Sequence, residues 1–575
     1  MRKGIQRGGG WFLTALLVLS VGGCSTRHYR KSADQEAYRL VAEKAGQVPN
    51  MDSRFTIDQT NQVTLEGLPR MGKVEEFLGT AGQSERDAAV LSLEKALELG
   101  VQHSRLYQNN KEQLYLAALD LSLSRHAFTP LFSAPSGAKY SGETPSQDVV
   151  GSEPDPANPD EDKPVYRDAI ADHHLAANTG IQVDWLIRDL GRISAAFTLD
   201  FTRFLAGDAR WAVNSELAAT FTRPLLRNAG FKREQESLTQ AERSLLYQVR
   251  DFTRFRKTFS VDVAAAYYGV LGNRDQARNA YVKLLSSRKT AERTRALAEE
   301  GRTTQSDLGR LEQQELSAEG SWINAVRLYK RSLDDFKILL GLPVEMSLVL
   351  DDRELAELKI KHPQINVEDS IRVALESRLD YQNERDQFDD AVRRVALAAN
   401  GLKMQVDLTA SGSIGSVPDA DRTFSEPSKN NAQWGAGLAI DPPLDRKAER
   451  NAYRSALISQ ERAGRAFAQS RDEIDLQVRE SWRTLEQAKR TYEISELGVK
   501  TAERRVEEQD LLAELGRAKA QDQVDAQNDL ASSRNDRTQA LVAHTIARLQ
   551  FWNNMGILYI KDSGQWEEVK DGITQ

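Results

Sequence analysis

Residues 219–227 read ATFTRPLLR, and residues 438–446 read LAIDPPLDR. Each stretch ends an alternating, β-like segment, carries a proline (Pro224, Pro443) and opens a charged helical segment. The correspondence extends outward in both directions. Gly301-Arg302 with Asp307 matches Gly516-Arg517 with Asp522, each aspartate six residues after its glycine. ILLGLP around Gly341 matches NNMGIL around Gly556, each glycine forty residues beyond the earlier one. Upstream, Ala96-Leu97-Glu98 followed by SRLYQ matches Ala374-Leu375-Glu376 followed by SRLDYQ. Four matches in one order and at near-equal spacing make an internal duplication. Its order is helix, β segment, long helix, glycine turn, long helix, performed twice.

The prolines permit those helices. None lies between Pro224 and Pro343, and none after Pro443. Proline breaks helix interiors, so 228–300 can form one rod, on the order of 110 Å at ~1.5 Å per residue. Val478, Leu485, Tyr492, Val499 and Val506 recur every seven residues. Ser481, Ala488, Ser495 and Ala502 form a second, small-residue row between them. This is a heptad with two seam rows of unequal size. A layered helical array and a solvated two-stranded coiled coil both fit it.

The β segments alternate with period two. Val406, Leu408, Ala410, Gly412 and Ile414 interleave with Gln405, Asp407, Thr409, Ser411 and Ser413. Trp434, Ala436, Leu438 and Ile440 interleave with Gln433, Gly435, Gly437 and Ala439. In the first repeat, 193–201 and 217–221 alternate likewise, and 128–133 and 181–185 are further candidates. The acidic, proline-rich run between them reads as a long, mobile external loop over 142–170. One apolar face suits a soluble sheet over a core or a sheet facing lipid. These segments have the ~9–11 residues a transmembrane strand needs, and only a closed barrel can place a sheet in lipid. One hairpin per repeat gives four strands per chain, too few to close, so the chain must oligomerise; a trimer gives twelve.

Composition excludes several classes. Mean hydropathy is -0.54 and 28% of the 575 residues are charged, which excludes a polytopic helical membrane protein. A net charge of -7 disfavours nucleic acid as a partner. The single cysteine, Cys24, excludes a disulfide framework and a cysteine-rich zinc site. Arg2, Lys3 and Arg7 precede an apolar run over 11–21 and then Val21-Gly22-Gly23-Cys24. That is a signal peptide whose end resembles the lipobox of bacterial lipoproteins, which implies lipid on Cys24. An ordinary signal peptide with a chance cysteine is the alternative. Ser25 follows, rather than the aspartate that commonly retains such lipoproteins in the inner membrane, so the resemblance implies the outer membrane of a Gram-negative-type cell.

Over 86–557 the chain resembles the TolC-type outer-membrane efflux and secretion tunnel proteins. The resemblance rests on the duplicated order, the RPLLRNAG element (223–230), the GRAKAQDQVDAQNDL turn (516–530) and the lipobox. It implies a membrane α+β fold: a homotrimeric outer-membrane β-barrel continued by a periplasmic α-helical coiled-coil tunnel. It also implies partners, namely a periplasmic adaptor and an inner-membrane pump. The expected organisation is a signal peptide (1–23), a lipid-anchored segment (24–83), a first repeat (84–345) with a β insertion at 127–226, a linker (346–365), a second repeat (366–557) with its hairpin at 404–442, and a tail (558–575).

In the family, rings of aspartate close the periplasmic end. The matching residues here are Asp522 and Asp525, three apart on one helix face. In a trimer each would form a ring of like charges that favours cations. Two solvated aspartates in a helix's first turn, favoured by the macrodipole, are the plainer alternative. Asp307 holds the equivalent place in the first repeat, and Arg517 or Lys519 are its candidate latch partners on a neighbouring coil. Asp172-His173-His174 lacks a fixed third ligand and is a weak metal signal. No P-loop, GxSxG or HExxH element occurs, so neither an enzyme nor a cofactor is expected and transport energy must come from a partner. The functional expectation is a passive efflux conduit for small molecules. The alternatives are a type I protein-secretion conduit and a structural or adaptor coiled-coil lipoprotein.

Overall fold

A computed structural model describes residues 25–52, 55–58, 65–142, 147–168, 173–205, 211–416, 427–442, 444–515, 517 and 519–567. Cys24, the signal peptide, Asp172, Pro443 and Gly516 lie outside the described residues. In chain order the elements begin with helix α1 (Thr26–Ala45), a 3-10 segment (Glu76–Glu85), strand β1 (Ala89–Leu91) and helices α2 (Leu93–His103) and α3 (Arg105–His126). Strands β2 (Leu131–Ser133), β3 (Ser136–Gly142), β4 (Gln147–Asp155), β5 (Asn158–Asp168), β6 (His173–Ile187), β7 (Gly191–Phe204) and β8 (Trp211–Pro224) follow. Helices α4 (Lys232–Glu299) and α5 (Gln305–Leu340), strand β9 (Leu348–Leu350) and the short α6 (Asp352–Ala356) complete the first repeat and the linker. The second repeat comprises α7 (Val367–Ser377), α8 (Leu379–Gly401), β10 (Gln405–Ser416), β11 (Pro427–Asp441), α9 (Lys447–Glu514) and α10 (Ala520–Asn554).

The chain forms two compact units. One holds residues 1–119, 244–388 and 464–575; the other holds 120–243 and 389–463.

The first unit is helical, and its core is aromatic and aliphatic. Tyr107 packs edge-on against Phe259 and Phe252, with ring centroids 5.2 and 5.7 Å apart, and Tyr267 meets Phe336. The heptad rows of α9 face inward: Val478, Leu485 and Ala502 are buried, and Ser481, Ala488 and Ser495 are half-buried. Strands β1 and β9 pair in parallel, so residues 348–350 of the expected linker are part of this unit's structure. The segment after Cys24 is held as well. Asp34 accepts a bond from the Tyr115 hydroxyl at 2.8 Å, and Asn50 exchanges two with the backbone of Ile560. Arg274 is fully buried among Glu85, Tyr329 and Asp352, and donates to Glu85 at 2.9 Å. A charge at that depth is tolerated only because it is paired.

The second unit is built on one antiparallel sheet in the order β11-β10-β8-β7-β6-β2, with β3 also on β6. The sheet is wider than the four strands per chain expected for the barrel. The sheet has six positions: β7, β8, β10 and β11, whose alternation marks them in the sequence, then β6 as a fifth, and β2 with β3 in line along β6 as the sixth. Pro135 has no N–H to donate and divides β2 from β3, yet both pair with β6 in sequence, β2 at 182–184 and β3 at 173–179. The loop expected over 142–170 is corrected by the structure. Strands β4 and β5 form their own two-stranded ladder there. Its prolines, Pro154, Pro159 and Pro164, argued against strand in the sequence, but a two-stranded ribbon is all edge, where proline is tolerated.

Candidate functional site

The two helical hairpins of the first unit turn by the same backbone device. Helix α4 ends at Gly301, whose φ of +71° gives the left-handed exit that favours glycine. The Arg302 N–H then bonds the Leu297 carbonyl at 2.8 Å. At the end of α9 the Arg517 N–H bonds the Leu512 carbonyl, also at 2.8 Å. The next helices begin alike: the Asp307 N–H reaches the Thr304 carbonyl and the Asp522 N–H reaches the Lys519 carbonyl, at 3.1 and 3.0 Å. The duplication noted in the sequence is thus a duplication of turn geometry.

The caps differ, and the difference sets the side chains free or ties them. Thr304 caps α5, accepting from the Asp307 N–H at 3.1 Å and donating to Asp307 Oδ2 at 2.7 Å. Asp307 is therefore occupied locally. Lys519 occupies the cap of α10 and offers no side-chain bond. Asp522 is exposed and makes no side-chain bond among the described residues. Asp525 is half-exposed and accepts from Gln521 Nε2 at 2.9 Å. Val524, between them, is buried with Ala291 and Leu311. At about 100° per residue, Asp522 and Asp525 stand about 60° apart on α10, both turned away from the Val524 contact, with the buried Ala526 beside Asp522. Within this chain, Arg517 and Lys519 are exposed and form no ion pair with Asp307 among the described residues.

Polarity separates contacts within a hairpin from contacts between hairpins. Inside the first hairpin, Arg288 pairs with Glu315 at 3.2 Å and Arg295 with Glu312 at 2.8 Å. Inside the second, Arg534 pairs with Glu503 at 3.2 Å and Arg505 with Asp529. Among the described residues, amide and hydroxyl bonds join α10 to the first hairpin. Ser286 bonds Gln527, Gln314 bonds Asn528 at 3.4 Å, Asn279 bonds Asn535 at 2.7 Å, and Thr538 donates to Asp275 at 2.8 Å. Sequence reasoning missed this row. Its signal was present as the Gln/Asn-rich run over 521–535, whose short polar residues stand where a coiled coil otherwise carries long charged ones.

The sheet of the second unit has its own chemistry. Register places Ile181, Phe197, Leu217, Ile414 and Ala432 in one cross-strand row, and Val183, Ala195, Ala219, Gly412 and Trp434 in the next. Phe132 lies opposite Val183 and Tyr140 opposite Leu175, on the same face. Side chains of alternate residues share a face, so one side is apolar across all six positions. It is also uncovered: Trp434 is 87% exposed, Phe132 75% and Leu438 61%. Asp184, Arg192, Asp200, Glu216 and Asp407 all fall on the other side. A face of this extent without a protein cover marks an interaction surface.

His173 and His174 lie in β6, where His173 Nδ1 bonds the Tyr140 hydroxyl at 3.1 Å. Among the described residues no cluster of metal-ligating side chains occurs, and no helix is long and apolar enough to cross a membrane.

Comparison with models of known families gives no match, and comparison with curated proteins gives none. Solved structures do match. The outer-membrane channel CmeC of Campylobacter jejuni is 10% identical, with a TM-score of 0.59 over 88% of this chain and 94% of that one. The outer-membrane protein VceC of Vibrio cholerae is 14% identical, with a TM-score of 0.57 over 81% and 96%. The outer-membrane channel MtrE of Neisseria gonorrhoeae, in its open state, is 12% identical, with a TM-score of 0.57 over 81% and 89%. Two helical hairpins with matched turns, a strand insertion in each repeat and this likeness agree: the chain has the fold of the TolC-type bacterial outer-membrane channels.

Proposed function

We propose that the chain is the outer-membrane channel of an efflux system, a passive conduit from periplasm to exterior. The observation that carries this reading is the uncovered apolar face of the six-position sheet, whose only charged residues among those described, Arg203 and Arg223, stand near its two ends. Lipid is the cover such a face requires, and a sheet in lipid must close on itself. The sheet of one chain is open, so closure needs copies, and a homotrimer is the assembly the fold suggests. The helical hairpins then form the periplasmic tunnel, and lipid on Cys24 anchors the chain to the same membrane. An adaptor and an inner-membrane pump supply the energy, since no sequence element for catalysis or nucleotide binding is evident.

Asp522 and Asp525 form the periplasmic gate in this reading. Their place on one side of α10 and the exposed carboxylate of Asp522 support it. Asp307 and the exposed Arg517 and Lys519 are latch groups between neighbouring copies. Opening moves the second hairpin away from the first and breaks the amide row between them. Small-molecule efflux is favoured over protein secretion by the lipobox alone.

The test is single-channel conductance of the purified protein in planar bilayers, beside the Asp522→Asn/Asp525→Asn double variant. Cation-selective channels that lose selectivity in the variant support both pore and gate. Equal permeability ratios in the two proteins remove the gate. Insertion without current, from protein that is monomeric in detergent, turns the reading to the adaptor lipoprotein.

A further inference from the structure

We infer that all six sheet positions are membrane staves, and that three copies close a barrel of eighteen strands, each copy's β11 edge pairing with the β2–β3 edge of the next. The inference deepens the channel reading and rests on it.

Strand length is the first support. β6, β7, β8, β10 and β11 have 15, 14, 14, 12 and 15 residues. All exceed the ~9–11 that cross a bilayer. β2 and β3 together run from 131 to 142 along a single partner strand. By length, β6 and β7 have the same claim to the membrane as β10 and β11.

Face continuity is the second. If only four strands spanned the membrane, the apolar row should stop at the boundary between spanning and external strands. It does not. Ile181 of β6 and Phe197 of β7 are direct partners in the row that runs on to Leu217 and Ile414. Ile181 is 59% exposed, as uncovered as Ile440 of β11. Two arginines share the parity of the apolar face, Arg203 and Arg223. They stand near opposite ends of it, Arg203 opposite Trp211 and Arg223 opposite Leu408. Arginine at the two headgroup levels is tolerated, whereas at the midplane it is costly. Between those levels, residues 193–201 of β7 carry no charge on this face.

Direction is the third. Every neighbouring pair in the sheet is antiparallel. Six positions make the two outer edges run in opposite senses, so β11 of one copy meets β2–β3 of the next antiparallel, as its neighbours already are. An odd number would force a parallel seam. Among the described residues both outer edges lack a strand partner within the chain, and an unpaired edge is not viable in lipid.

The chain's one cysteine is Cys24, so a nitroxide placed in the sheet is read against a background that the unsubstituted protein measures. Leu438→Cys reports on β11, and Phe197→Cys on β7; Ile181→Cys replaces the latter if it fails to assemble. In phospholipid vesicles, relaxation by oxygen over a nickel chelate identifies lipid-facing labels. Pulsed dipolar spectroscopy gives the spacing between labels at residue 438 on neighbouring copies. Barrel diameter grows with strand number, so this spacing is about 30 Å for eighteen strands and about 20 Å for twelve. The inference expects oxygen-accessible labels at both 438 and 197 and the longer spacing. A lipid-facing 438 with a water-exposed 197, or a spacing near 20 Å, overturns the six staves and leaves the channel intact. Water-exposed labels at both sites overturn the membrane barrel itself.

Discussion

Gly341 and Gly556 have the same φ, +78°, and each closes its repeat against the bend between that repeat's first two helices. Gly341 lies on the carbonyl of His103, where α2 gives way to α3. Gly556 lies on Ser377 and Arg378, where α7 gives way to α8. The two halves of the chain are therefore tied off in the same way at the same place.

A methyl group tests both closures. Left-handed backbone costs a residue with a Cβ about 1–2 kcal/mol. At Gly556 the added Cβ would stand 3.1 Å from the Ser377 carbonyl oxygen, a contact that a small shift relieves. At Gly341 it would fall inside contact distance of the His103 carbonyl, backbone that cannot swing aside. Gly341→Ala should lower the thermal unfolding temperature clearly more than Gly556→Ala. Equal losses would mean that the α2–α3 bend yields, and that the closure is looser than its geometry.

The row between the hairpins makes a prediction about gating. Each neutral hydrogen bond contributes about 1 kcal/mol. Gln527→Ala with Asn535→Ala removes two, about 2 kcal/mol in each copy, and should raise the open population more than tenfold. Arg505→Ala breaks an exposed ion pair inside one hairpin, worth about 0–1 kcal/mol, and should leave opening nearly unchanged. Salt screens the ion pair and not the amides, so the contrast should persist at high ionic strength. Open probability in planar bilayers is the readout; equal effects would show that the amide row does not hold the hairpins together.

The duplication was legible because it is local. Turn glycines, prolines and heptads leave marks at fixed offsets, and Gly301, Pro224 and Val478 each do in the structure what their spacing implied. The sheet was half legible. Alternation identified 193–201 and 405–414, but whether β6 joins the same sheet depends on pairing partners, which no single strand records. Pro135 and the acidic run over 147–168 hid β3, β4 and β5, because composition reports cost and not the edge position that relieves it. The amide row was not legible at all: Gln527 and Asn535 mean something only once α4 and α5 lie beside them.

The sheet's two faces should respond oppositely to one substitution. Leu217 and Ala218 are neighbours in β8, opposite Ile414 and Ser413 of β10. Leu217→Arg places a charge on the apolar face between the two arginine levels, at a cost of ~2–4 kcal/mol if that face meets lipid. Ala218→Arg places it beside Glu216 on the polar face and should be tolerated. The fraction of protein assembled in outer membranes measures both. Equal assembly of the two variants would argue that water, not lipid, covers the apolar side.

Acid should weaken the helical unit through a buried histidine. His544 lies in α10, 1% exposed, with His362 Nδ1 3.4 Å from its Nε2. Burial holds its pKa down to about 4, helped by the positive neighbours His362, Arg548 and Lys489 and opposed by Glu486. His362 itself bonds Glu486 at 2.8 Å, which fixes its ring beside His544. A depressed pKa means that the fold binds fewer protons than the unfolded chain between the two values. Stability from this group is thus complete above about 6.5 and declines as pH falls to about 4, by about 3 kcal/mol in all. His544→Gln keeps a polar side chain of similar reach and no titrating ring. Its unfolding temperature should change less between pH 7 and pH 4.5 than that of the unsubstituted protein. If the two proteins lose the same number of degrees over that interval, the acid sensitivity resides elsewhere and His544 is silent.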